Sequence, residues 1–286
     1  MNTSSVATRA AIVRALAEGN SIRATACLTN TSKATVLKLL VELGEFCSMY
    51  QDYVLTNLPT KRLEIDEIWA FVGAKAKNAK KDSQGDIWTF TALDADSKLM
   101  VSWLVGQRQR SDARTFMADV ASRLANRVQI TTDGHNMYIG AVEFVFKWNG
   151  ADYAQIVKEY GQPNAEEQRR YSPAICTGVH KEWVMGKPDM DLVSTSFVER
   201  SNLTIRMGQR RFTRLTNAFS KKAENHAHSV SLFFMHYNFC RSHQTLTKAN
   251  GGIHTTPAMA AGLTNHVWSV EEVLGLMDPN RPLHSN

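Results

Sequence analysis

LEIDEIWAFV, residues 63–72, decides how the rest of the chain is read. Its β-branched, aromatic and leucine side chains favour an extended strand. An acid, Asp66, nevertheless sits at its centre among Ile65, Ile68 and Trp69. A charge inside a central strand is costly unless it is paired or binds a metal, so Asp66 is a candidate functional residue. Glu64 and Glu67 are set aside, because side-chain alternation is expected to place them across the sheet from Asp66.

Outward from this stretch, DIWTFTAL (86–93) and LMVSWLV (99–105) read as two more strands. A lysine-rich link (75–81) precedes the second, and the turn Asp94-Ala95-Asp96-Ser97 precedes the third. Short links imply an antiparallel meander. Trp69, Trp88 and Trp103, one in each strand, are read as core. Residues 112–126 space Ala113, Phe116, Val120 and Leu124 as an amphipathic helix, and VQITT (128–132) follows as a short buried strand. Strand, helix, strand implies a parallel crossover. Residues 153–160 make a fifth strand, 161–194 are polar and irregular, and helices are expected over 195–207 and 218–240. The fold class is therefore α/β, a ribonuclease H-like mixed sheet flanked by helices.

Before the sheet, helical spacing covers 6–18, 21–28 and 33–43, with Ser21 and Ser32 as caps. A short helix, a tight turn and a polar-headed helix make a helix-turn-helix pattern, whose last helix would present Ser32, Lys33, Thr35 and Lys38 to a DNA groove. The expected organisation is a helix-turn-helix DNA-binding module at 1–48, a linker at 49–62, a catalytic domain at 63–245 and a C-terminal tail at 246–286.

Two further acids suit Asp66. Asp133 follows the fourth strand and precedes Gly134, at the carboxyl end where α/β sheets gather ligands. Glu199 lies on the helix that follows the irregular segment. Adjacent first and fourth strands would let Asp66 and Asp133 face each other, with the helix bringing Glu199 to the same spot. Mg²⁺ takes oxygen ligands, and two such ions activate the attacking oxygen and stabilise the leaving one in displacement at phosphorus. With 27 acidic residues in the chain, spacing alone selects no triad, and Glu182 and Asp191 compete with Glu199 from the irregular segment.

The chain has 286 residues and a formal net charge of +6, and the segment 199–222 alone carries seven Lys/Arg against one acid. That basic balance favours a polyanionic partner. Four scattered cysteines give no CxxC pair, so no zinc knuckle or disulfide framework is expected. No apolar run suits a membrane span, and the N-terminus lacks a signal core. A cytoplasmic, nucleoid-associated protein is expected, with no membrane partner.

LEIDEIWAFVG around Asp66, TTDGHNMY around Asp133 and SFVERSNLTIRMGQRRFTRLTNAFSKKAENH around Glu199 closely resemble the IS1-family insertion-sequence transposases. HYNFCRSHQTL and TPAMAAG extend the likeness over roughly residues 60–265. The resemblance implies a DDE triad that maps onto Asp66, Asp133 and Glu199, both as catalytic residues and as ligands of Mg²⁺, with Mn²⁺ as substitute. It also implies binding of double-stranded DNA at terminal inverted repeats, strand cleavage, transfer of the 3′ ends into target DNA, and at least a homodimer on paired ends. The best-known members carry an N-terminal zinc finger, which this chain lacks the cysteines to build, and residues 248–255 are an insertion. With the resemblance, Arg200, Asn202 and Arg206 beside Glu199, and His135 beside Asp133, are expected at DNA. Arg210, Arg211, Arg214, Lys221 and Lys222 are expected at backbone phosphates. A nuclease of the same fold without strand transfer, and a non-catalytic DNA-binding repressor descended from a transposase, stay open as alternatives.

Overall fold

The alternating residues around Asp66 form β1 (Arg62–Val72), the central reference of a computed structural model that describes residues 4–161, 176–213 and 217–278. β1 pairs antiparallel with β2 (Gly85–Asp94), and β2 pairs antiparallel with β3 (Met100–Gly106), completing the expected meander. Helix α1 (Arg110–Arg123) crosses back and delivers β4 (Val128–Asp133), which lies parallel to β1 on its other side. Helix α2 (Met137–Gly150) returns the chain to β5 (Ala151–Tyr160), parallel to β4, and β6 (Cys176–Met185) closes the sheet antiparallel to β5. The result is a six-stranded mixed sheet, β3-β2-β1-β4-β5-β6, flanked by helices. The sequence signals no element at α2, and β6 falls inside the segment read as irregular.

Each face of the sheet has its own core. On one, α3 (Ser196–Gly208) and α4 (Ala223–Met235) cover Ile68, Ala70 and Val72 with Val198, Ile205, Phe233 and Phe234. On the other, Leu63, Ile65 and Phe90 meet Phe116 of α1 and Tyr138 of α2. The three tryptophans expected in the core are half-buried.

The N-terminal helices α5 (Val6–Ala17), α6 (Ile22–Leu28) and α7 (Lys33–Val54) carry the spacing expected of them, but α7 does not stop near Gly44. It runs to Val54, so residues 49–54, expected within a linker, are helical. Gly44 serves packing rather than termination. A Cβ there would lie 2.6 Å from the His228 Cβ, so the glycine lets α7 press against α4. Ser231 Oγ donates to the Gly44 carbonyl at 2.9 Å, and the buried Gln51 amide donates to the Ser231 carbonyl at 3.3 Å. Of the tail expected at 246–286, the described residues 246–278 also join this body, because Trp268 packs on Tyr50 of α7 and on Phe239, with ring centroids 5.3 and 5.2 Å away; the rest of that expectation lies outside the described residues. Among the described residues no helix is long and apolar enough to cross a membrane.

Candidate active site

β4 ends at Asp133, one step beyond the pairing of Ile65 with Thr132, so Asp133 comes level with Asp66. Past that point β1 has no β4 neighbour, and a cleft of about 410 Å³ opens. Asp66, Asp133, His135, Lys158, Thr195 and Glu199 are among its lining residues. The three acids singled out from sequence thus share one cleft.

Asp66 is held from two directions. Its Oδ1 accepts the Glu67 amide N–H at 2.8 Å, and its Oδ2 accepts the Asn202 amide at 2.6 Å. Burial lifts its carboxyl to about 6, and the charges of Asp133 and Glu199 push the same way. Asn202 was expected at DNA. It is instead 4% exposed and turned onto Asp66 from α3, with its Oδ1 buried and unbonded. Glu199, three residues earlier on α3, accepts from Thr195 Oγ1 at 2.8 Å and forms an ion pair with Lys158 of β5. Burial weighs against the Lys158 ammonium, but the Glu199 bond together with the charges of Glu199, Tyr160 and Asp66 outweighs it, and the Lys158 pKa is raised.

Glu64 does not lie across the sheet. Residues two apart on a strand share a face, and Glu64 Oε2 accepts the Phe197 and Val198 N–H groups at 2.8 and 2.9 Å. It therefore satisfies free donors at the start of α3, where the helix dipole favours an anion. Burial raises its carboxyl, and those two N–H bonds counter the rise.

Glu67 does take the opposite face, yet it joins the site around the end of β4. Among the described residues, the acidic group with spacing suited to a metal ion is Asp66, Glu67 and Asp133, whose oxygens lie within 4.8 Å of one another. Glu199 is outside that set, and its carboxylate is bonded by Lys158 and Thr195. Burial lifts the Glu67 carboxyl to about 7, with Asp133 adding to the effect and Arg108 opposing it. Arg108 stacks over Trp88 at 4.6 Å and reaches Glu67 at 3.4 Å and Asp133 at 4.0 Å.

The turn after β4 is fixed from beneath. His135 N–H donates to Asp133 Oδ1 at 3.2 Å, and the buried Gln155 amide donates to the Asp133 and His135 carbonyls at 3.0 and 3.3 Å. Burial, then Arg108, lowers the His135 pKa, so its ring is neutral at pH 7. Arg108, Gln155 and Lys158 carried no sequence signal, since each gains its role only from the sheet order that brings β3, β4, β5 and α3 together.

The residues expected at DNA are dispersed. Ser32 and Thr35 are engaged in capping α7, where Ser32 Oγ accepts the Thr35 N–H at 3.0 Å, and Lys38 pairs with Glu42 at 3.6 Å. Arg200 is exposed and Arg206 half-buried on α3. Lys33, Arg210, Arg211, Lys221 and Lys222 line a separate cleft, and Arg214 lies outside the described residues. No protein-family model matches the chain, and no curated protein matches it in sequence.

Proposed function

We propose that the chain is a DDE transposase with a ribonuclease H-like catalytic core and an N-terminal helix-turn-helix. It would bind the ends of an insertion sequence, cleave DNA and transfer the 3′ ends to target DNA. One observation carries the reading: Asp66, Asp133 and Glu199, from a strand centre, a neighbouring strand end and a helix, line a single cleft.

The donor set fits Mg²⁺ or Mn²⁺. It is all oxygen, and Asp66, lifted to about 6 by burial first, is pushed the same way by the charges of Asp133 and Glu199. It also leaves Glu67 Oε1 buried without a hydrogen-bond partner. Asp66, Asp133 and Glu199 are the residues that would hold the ions, with Glu67 as an added donor. When bound, the ions supply activation of the attacking oxygen and stabilisation of the leaving one. The protein's own part is positioning. Asn202 orients Asp66, Gln155 fixes the turn that presents Asp133, and Lys158 holds Glu199 while standing where a phosphate oxygen can be met. Two DNA ends must be joined, so the active species is at least a dimer.

The test is incubation of the full chain with pre-cut terminal DNA and a target plasmid in Mg²⁺. Joined products are expected, and Asp66→Asn, Asp133→Asn and Glu199→Gln should each lower joining by at least roughly a hundred-fold, the loss of a group stabilising the transition state. Hydrolysis without joining would point to a nuclease, and end binding without cleavage to a repressor. Either result would overturn the proposal.

A further inference from the structure

The second cleft, about 620 Å³, lies between the N-terminal helices and the described parts of the α3–α4 connection, residues 209–213 and 217–222. One wall carries Arg23 at the start of α6 and Lys33 at the start of α7; the other carries Arg210, Arg211, Lys221 and Lys222. Among the described residues no Asp or Glu lines it. Elsewhere Arg14, Arg62, Arg108, Arg123 and Arg127 each pair with a carboxylate. Among the described residues none of these six cations has an ion pair.

Arg211 makes the point sharply. The side chain is half-buried, and burial alone brings its pKa down to about 10. It remains charged at neutral pH, and its Nη1 donates to a neutral partner, Ser220 Oγ, at 3.2 Å. A buried charge without a counter-charge is costly, which marks the place as one an anion completes.

The walls are also fixed before any ligand arrives. Gly19, at φ +77°, sits where a Cβ would be 2.9 Å from the Gly208 carbonyl, so the turn after α5 abuts the end of α3. Gly44 sets α7 against α4. Phe219 stacks on Phe71 at 5.0 Å beside the cleft. Lys33 and Leu37 of α7 face this cleft, whereas Thr35 and Lys38 line a different one.

We infer that this two-walled cleft is a binding groove for the phosphate backbone of duplex DNA, gripped jointly by the N-terminal helices and the α3–α4 connection without reading sequence. The choice of DNA as the polyanion rests on the function proposed above. Lys33, Arg210, Arg211, Lys221 and Lys222 were each expected at DNA; the cleft adds Arg23 and sets the two groups face to face, so that Arg23 and Lys33 serve as phosphate contacts while Thr35 and Lys38, on another cleft, take no part.

The experiment measures binding of the full-length chain to a fluorescent mixed-sequence duplex by anisotropy, in EDTA, over a range of salt. Arg23→Ala/Lys33→Ala and Lys221→Ala/Lys222→Ala change exposed side chains, so folding is checked by circular dichroism. Each pair should weaken binding roughly ten-fold or more and lower the slope of log affinity against log salt by about 2, as expected for two lost phosphate contacts. Wild-type affinity and slope in Arg23→Ala/Lys33→Ala would overturn the groove. So would saturable one-to-one binding of inorganic pyrophosphate with no binding of duplex, which would mark a small-anion site. Binding is read without cleavage, so failed strand transfer leaves this result standing, and a failure here leaves the chemistry of the first cleft standing.

Discussion

Asp66 and Glu67 show how a strand can carry two acids to one site from opposite faces. The device works only because β4 stops at Asp133. It was half legible in the sequence: an acid at a strand centre is conspicuous, whereas the place where a neighbouring strand ends is not. The treatment of Glu64 erred on simple geometry, since a two-residue period puts it beside Asp66. Both central acids have pKa values raised in the fold, Asp66 to about 6 and Glu67 to about 7. A raised carboxyl contributes stability that is fully present below its unfolded value, near about 4, and lost as pH rises through the folded value. The metal-free protein should therefore lose melting temperature between about pH 4 and 7, and Asp66→Asn should flatten part of that fall. A flat profile in the unsubstituted protein would contradict the crowding. Lys158 opposes a metal by charge, so Lys158→Met should tighten Mg²⁺ binding several-fold in calorimetry.

At the scale of elements, the meander was legible from β-branched and aromatic runs broken by short links, and α3 was legible as a helix, one that buries Val198, Ser201, Asn202, Ile205 and Gly208 at helical spacing. Two elements were not. α2 reads MYIGAVEFVF at its start, with few polar positions to mark a face and a glycine, Gly140, within it. β6 carries exposed residues along most of its length, so no apolar alternation announces it. Gly44 misled for a related reason: a glycine chosen for close approach looks like one chosen to end a helix. Gly44→Ala should improve helix propensity yet destabilise the protein, because the added methyl meets His228. Overpacking of this kind costs about 1–3 kcal/mol, to be read as a lower midpoint in urea with unchanged slope.

For the whole molecule, the sequence suggested modules in a row: binding helices, linker, catalytic domain, tail. Among the described residues, the N-terminal helices and residues 246–278 instead pack onto one body. Arg14 of α5 pairs with Glu271 at 2.6 Å, and Trp268 seals against Tyr50 and Phe239. Long-range contacts of this sort leave no periodic trace. Trp268→Ala should cost about 3–5 kcal/mol, as truncation of a large buried aromatic does. Because the ends share a core, the loss should appear as one cooperative transition in calorimetry. Two separated transitions would mean that the tail is independent.

The Glu64 bond to the first turn of α3 reaches further than its two N–H groups. It works as a bracket between strand and helix, and so it sets the span from Asp66 to Glu199 whatever the intervening chain does. Loops of other lengths grafted between β6 and α3 should leave the gauge of the acidic cleft unchanged. Glu64→Ala should remove that tolerance.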